Sequence, residues 1–366
     1  MQSLLPIPDH RRAQGRMYDL PHMLLFSILA VISGATSYRR IHQFIQTHQA
    51  RLNEAFGCCW RRTPAYTSIR YTLQGLDPDE IAVHFRAHAA TLANSAPTIA
   101  FDGKTLRGSL DRFEDTKAAQ VLSAFAGEEQ IVLGQILIED ADKDHEIQAA
   151  QRLIEALGLT GRLYTFDALH LQKKTVETVT ASNSDMLVQL KGNHPKLYAA
   201  VRELCEAEPH KDQSYAVDLG KRNRIEQRTV RLWHLPKGTG TEAWHDHFKV
   251  VVEVRRQVEC FNTRLRCFET REEPPAYYLS TRVASAETLG HAIRGHWGIE
   301  NRLHHVLDTT MGEDASRIRK NPGVFAQLRH FGLNLLRHNG QANIRAALYD
   351  NAISLDRVLS YKGVKH

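Results

Sequence analysis

Thr98-Ile-Ala-Phe-Asp102 and, further along, Arg162-Leu-Tyr-Thr-Phe-Asp167 are short apolar runs that each close on an aspartate. Runs of this length, rich in branched and aromatic side chains, predict buried strands. Each strand delivers a carboxylate at its C-terminal end, where open α/β sheets place their sites. Either aspartate alone could merely begin a turn, as Asp102-Gly103 suggests. On adjacent strands the two carboxylates would repel, and a hard divalent cation such as Mg²⁺ or Mn²⁺ relieves that cost.

Working outward, Lys117 to Phe125 and Gln130 to Glu139 read as two strands around a Gly127-Glu-Glu hairpin. Asp144 to Leu157 reads as an amphipathic helix stopped by Gly158 to Gly161. A helix near Lys173 to Val179 then precedes a strand at Met186 to Leu190, closed by Lys191-Gly192-Asn193. Three strands, helix, strand, helix, strand is the order of a ribonuclease H-like core, an α/β mixed sheet with helices on both faces. Strand-like stretches at Thr229–Leu235, Phe248–Val258 and Pro275–Thr281 predict a β-rich insertion within it. Helices resume over Ser285 to Asp308 and Val324 to His338.

Ahead of the core the sequence predicts a helical domain. Leu24, Leu25, Ile28, Leu29 and Ile32 share one helical face, and Ile41, Phe44 and Ile45 mark a second helix over Tyr38 to Phe56. Arg11, Arg12 and Arg16 before this apolar run imitate a signal peptide, but Asp19 and His22 interrupt it, so Met23 to Ile32 is read as a buried helix. Thr67 is a candidate cap for a short helix carrying Arg70 and Tyr71, either a DNA recognition helix or part of a supporting bundle. The expected division is therefore 1–95, 96–207, 208–284 and 285–366.

The chain has 366 residues, with 42% hydrophobic and 24% charged, which excludes disordered and fibrous classes. A formal charge of +6 favours a polyanionic partner. Five cysteines without a CxxC pair encode neither a disulfide framework nor a zinc ribbon, and predict free thiols in a cytoplasmic protein without a membrane span.

A third acid, Glu300, sits in His296-Trp-Gly-Ile-Glu-Asn301 on a predicted long helix. Ile293, Trp297 and Leu303 give that helix an apolar side, and His296, Glu300 and His304 lie one turn apart beside it. Basic groups accompany the acids: Lys104, Arg107, Lys173, Lys174, Lys191, Arg222, Arg224, Arg228 and Arg231, either as phosphate contacts or as a solvated face. His291, His296, His304 and His305 raise a zinc site, but no two of them have the i, i+4 spacing of a zinc-binding helix: His296 and His304 are two turns apart, and Glu300 occupies the turn between them.

Ile99-Ala-Phe-Asp-Gly-Lys-Thr-Leu-Arg-Gly108, Asp167-Ala-Leu-His170, Gln189-Leu-Lys-Gly-Asn193 and His296-Trp-Gly-Ile-Glu-Asn301 resemble the bacterial H-repeat-associated insertion-sequence transposases. Arg224-Ile-Glu-Gln-Arg228, Val306-Leu-Asp308 and Gly312 to Arg319 extend the resemblance, and Tyr18 to about His88 is similar to the domain that accompanies this core. The resemblance implies an Asp-Asp-Glu transposase with Asp102, Asp167 and Glu300 as catalytic metal ligands for two Mg²⁺ or Mn²⁺ ions, Asp102 bridging them. Related transposases surround the glutamate with Tyr, Arg and Lys, whereas Ile293, His296 and Leu307 stand here, so Asp308, Glu313 and Asp314 remain alternatives for the third acid. Asp142-Lys-Asp-His-Glu-Ile147 departs from a Lys-Ser-Asn-Glu-Ile-like pattern while keeping Lys143, Glu146 and Ile147.

The resemblance further implies double-stranded DNA partners, namely the element's terminal inverted repeats and a target, and a homodimer in the DNA complex. Lys104, Arg107, Lys173, Lys191, Asn193, Arg224, Arg228, His296 and Asn301 are the expected DNA contacts. The expected chemistry is phosphodiester cleavage followed by strand transfer, with ions about 3.5–4 Å apart. A nuclease without transposition and a decayed DNA-binding remnant are the competing expectations.

Overall fold

Asp19 accepts a hydrogen bond from the His22 amide and caps α1 (Leu20–Ile32), with Pro21 in its first turn. Ser37 caps α2 (Tyr38–Phe56), which ends at Gly57 with φ of 69°. In α3 (Tyr66–Gln74) the cap position is Ala65, and no side chain caps it. Thr67 therefore lies inside the helix and not at its start, because the chain turns helical two residues earlier than expected. Asp77 caps α4 (Pro78–Leu92). The computed structural model describes residues 4, 6–93, 95–110, 118–138, 143–220 and 224–365, and for 143–145 the backbone only.

The strands begin with β1 (Thr98–Thr105), which runs past Asp102 instead of ending there. β2 (Gln120–Ala126) and β3 (Ile131–Ile138) form the expected hairpin, with Gln130 at φ of 58° in its turn. Lys117 and Glu139, expected at its ends, and Asp142 lie outside the described residues. Then follow α5 (Lys143–Leu157), β4 (Leu163–Phe166), α6 (Lys173–Ala181), β5 (Asp185–Leu190) and α7 (Pro195–Ala207). The β-rich stretch holds β6 (Asp212–Gly220), β7 (Arg224–His234), β8 (Val250–Asn262) and β9 (Cys267–Ser280).

The long C-terminal helix is broken. After α8 (Ala286–His296), Ile299–His304 and Val306–Thr310 are wound as π-helix. The His305 amide donates to the Glu300 carbonyl and the Met311 amide to the Val306 carbonyl, each five residues back. One straight α-helical stripe through His296, Glu300 and His304 is thereby corrected. Trp297, expected on its apolar side, is 38% exposed, while Ile293, Ile299 and Leu303 are buried. The chain continues as α9 (Pro322–His338), α10 (Ile344–Ile353) and α11 (Leu355–Ser360).

These elements fall into two compact units. The first comprises Met1–Ala96, Asp102–Leu153 and Gly298–His366. Its strand order is β3-β2-β1, and its centre is the pair α1 and α9. Both helices are buried nearly all round: Met23 through Ile32, and Gly323 through Leu336. The Asn334 side chain, fully buried, accepts from the Val132 amide at 2.9 Å and donates to the Val132 carbonyl at 2.8 Å. It thus supplies β3 with the partner that an edge strand lacks. Asn351 likewise donates to the Ile32 carbonyl at 2.8 Å and accepts from the Tyr361 hydroxyl.

The second unit comprises Pro97–Phe101 and Ile154–Trp297. Its strand order is β1-β4-β5-β9-β8-β7-β6. β1, β4 and β5 are parallel, and β5 meets β9 antiparallel through Leu187↔Ser280. Leu289, Ala292 and Ile293 of α8 pack on Val230, Leu232, Val252 and Val254, forming an apolar core on one sheet face. The five cysteines are free, and among the described residues no helix is long and apolar enough to cross a membrane.

Two substitutions test the packing of the first unit. A Cβ on Gly108 would lie 1.6 Å from the Ser316 carbonyl oxygen, a backbone atom that cannot step aside. We expect Gly108→Ala to cost about 1–3 kcal/mol or more in urea unfolding. Asn334→Ala orphans both Val132 backbone groups and should lower stability by about 2 kcal/mol or more. A wild-type unfolding midpoint for either variant contradicts the packing described.

Candidate active site

In the first unit, Asp102 stands two residues beyond Ala100, the last residue of β1 that pairs with β4. Its carboxylate Oδ2 is 3.3 Å from Nδ1 of His304 on the π-wound segment. A Cβ at Gly103 would fall 2.5 Å from Oε1 of Glu146, so the Glu146 carboxylate lies against the backbone beside Asp102. Asp102 and Lys104 share one side of the strand by the two-residue period.

Lys104 is not presented to solvent. Its side chain is 9% exposed, and its ammonium pairs with Asp308 at 2.5 Å and with Glu313. Glu313 is buried and also pairs with Arg329 of α9 at 3.4 Å. Burial holds the Arg329 pKa below its ordinary value, with Glu313 opposing the shift. Burial also drives the His330 pKa well below the usual imidazole value, with the nearby Lys104 charge adding to it. The Asp314 carboxyl is raised by desolvation and by neighbouring Asp308, and Arg107 reaches it at 3.6 Å. Of the alternatives for a third acid, Asp308 and Glu313 are thus committed to Lys104, whereas Glu300 is exposed on the first π turn. Asn301 is exposed beside it.

In the second unit, Asp167 follows β4 directly. Oδ1 accepts from the Leu169 amide at 3.0 Å and starts a 3-10 turn, Ala168–His170. The register Ala100↔Thr165 places a pairing residue two positions before each aspartate. Asn193 donates to the Ala168 carbonyl at 2.8 Å, and a His194 ring nitrogen lies 2.8 Å from the Leu171 carbonyl. Nδ1 of His296 lies 2.9 Å from the Thr165 hydroxyl. Asn193 and His296, expected to touch DNA, therefore hold the turn after Asp167 and the strand before it.

The expected basic residues divide. Lys173, Lys174 and Lys191 are exposed around the end of β4 and β5, and Arg107 is exposed in the first unit. Arg228 is buried and, like Lys104, is corrected from a surface phosphate contact to a charge held in the fold. It pairs with Glu226 and, at 3.4 Å, with Asp218. Arg294 joins them at 3.2 Å from Asp218, and Arg224 lies 3.1 Å from Glu226. Burial pushes the Glu226 carboxyl up, but Arg228, Arg294 and Arg224 outweigh it and hold it below the usual range. Arg231 lies 3.8 Å from buried Glu253, and Arg222 falls outside the described residues.

Among the described residues, no three His, Cys, Asp or Glu side chains stand close enough to hold an ion together, the four histidines of the zinc reading included. The sequence pattern set His304 beside Glu300 and among the histidines of a zinc reading, but not against Asp102. Nor did it mark the Glu146 carboxylate at Gly103, although Glu146 was noted in register.

Residues 94–344 match the family described as "Transposase DDE domain", and residues 1–89 match "DDE_Tnp_1-associated". The chain is 32% identical over 349 residues to "Putative protein YbfL" of Escherichia coli (strain K12), covering 92% of this chain and 89% of that protein. It is 31% identical over 349 residues, with the same coverage, to "H repeat-associated putative transposase YhhI" of the same strain. Among solved structures, a piggyBac transposase synaptic complex with hairpin DNA gives a TM-score of 0.44 at 8% identity, covering 100% of this chain and 73% of that one, too slight a likeness to argue from. The two family matches and the extent of these relatives establish that the chain belongs to the DDE transposases, together with the H-repeat-associated proteins.

Proposed function

We propose that the chain is an active transposase that cleaves double-stranded DNA at the terminal repeats of an insertion sequence and joins the ends to a target, in the bacterial cytoplasm and as a dimer on DNA. The observation that carries this reading is the parallel β1–β4 register, with Asp102 and Asp167 each two residues past the pair Ala100↔Thr165. The strand orders β3-β2-β1 and β1-β4-β5 support a ribonuclease H-like reading of the core.

Asp102, Asp167 and Glu300 would hold two Mg²⁺ or Mn²⁺ ions. Their chemistry fits hard cations: all three are oxygen donors, partly or fully exposed, and Glu146 adds a carboxylate next to Asp102. Bound ions supply an acidified attacking oxygen and charge stabilisation of the leaving oxygen. Lys173, Lys191, Arg107 and Arg224 are left to neutralise phosphates. Asn193 and His296 keep the Asp167 turn in place, and the Lys104 network keeps the strand after Asp102 in place.

The test incubates the protein with candidate terminal-repeat DNA and Mg²⁺. Cleavage should vanish with a chelator and return with Mg²⁺ or Mn²⁺. Asp102→Asn, Asp167→Asn and Glu300→Gln should each lower the cleavage rate at least about a thousandfold, about 4 kcal/mol of barrier. DNA retention in a gel should stay near wild type. Cleavage at the wild-type rate by both aspartate variants sinks the assignment, and ends cut without joining favour a nuclease.

A further inference from the structure

Asp102 and Lys104 face the same way from β1, and each meets one residue of the π-wound segment. Asp102 meets His304 at 3.3 Å, and Lys104 meets Asp308 at 2.5 Å. Two strand residues advance about 6.6 Å. Four helical residues advance about 5–6 Å. The two contacts therefore form consecutive rungs with matching spacing, and together they fix the segment's register against β1. Glu300 precedes His304 by four residues on that same segment. Lys104 is anchored a second time through Glu313, whose amide donates to the Leu307 carbonyl at 2.9 Å and whose carboxylate meets Arg329.

His304 carries a cost that packing does not explain. Its side chain is 12% exposed, and its Nε2 is buried without a hydrogen-bond partner among the described residues. Such an atom costs about 1–3 kcal/mol, and a ring without nitrogens would fill the space at no such cost. The ring's other nitrogen is the one on Asp102. We propose that His304 is a positioning residue that orients the Asp102 carboxylate for metal binding, with the Lys104–Asp308 pair holding it in register. This rests on the reading of Asp102 as a metal ligand. Groups that orient a ligating carboxylate are worth about ten- to hundredfold in metal affinity.

The experiment measures Mn²⁺ binding to the full chain by electron paramagnetic resonance of the free ion. His304→Ala should weaken binding about tenfold or more. His304→Gln, which keeps an N–H donor, should recover most of that loss, and Asp308→Asn should give a smaller loss at an unchanged fold. In an Asp102→Asn background, His304→Ala should produce no further loss. Wild-type affinity in His304→Ala, or an equal loss in the Asp102→Asn background, overturns the proposal. If Asp102→Asn itself binds Mn²⁺ normally, the metal-ligand reading fails instead. The contact is then judged by melting temperatures: non-additive losses for Asp102→Asn and His304→Ala preserve the coupling, and additive losses dismiss it.

Discussion

Lys104 brings a positive charge almost out of water, and a withdrawn ammonium is tolerated only when its charge and its hydrogens are matched. Asp308 and Glu313 do the matching, and Arg329 then balances the second of them. A single line of alternating charge thus runs from β1 through the segment after α8 to α9, where the Arg329 guanidinium lies 4.6 Å over the Phe325 ring. Losing one member of a buried set costs about 3–5 kcal/mol, because the remainder is left uncompensated. The arrangement is therefore close to all or none. Asp102 stands two residues from its centre and inherits that rigidity.

The surroundings of Asp167 are built by a different device. There the supports are hydrogen bonds and not ion pairs: Asn193 on the Ala168 carbonyl, His194 on the Leu171 carbonyl, and His296 on Thr165. These contacts converge on three residues, Thr165, Ala168 and Leu171. The motifs occur together because each holds part of the same turn. Asn193 and His296, expected as DNA contacts, also brace this turn and the strand before it.

Much of this was legible in the residues. Strands β1, β4 and β5 announce themselves because they are buried on both faces and read as continuous apolar runs. The helical N-terminal region followed from the spacing of its apolar residues, whereas its one expected cap, Thr67, did not hold. Strand β6 was not legible: Asp-Gln-Ser-Tyr-Ala-Val-Asp-Leu-Gly is exposed along nearly its whole length, so burial leaves no alternating pattern. The π winding at Glu300 escaped because nothing in Ile-Glu-Asn-Arg-Leu-His specifies a wider turn; Ile299, Leu303 and Leu307 are the buried side chains along it. Lys104 and Arg228 looked like surface cations because a sequence does not say which acids lie across from them.

Helix α9 has one more consequence. It is buried along almost its full length and shares the interior with α1, although some 300 residues, on the order of the domain sizes at which one core stops growing, separate their starts. A chain interrupted before Pro322 would leave α1 with its apolar surface facing water. Such a product would be cleared by cellular proteases as misfolded. Loss of the far end therefore removes the protein and not only its chemistry.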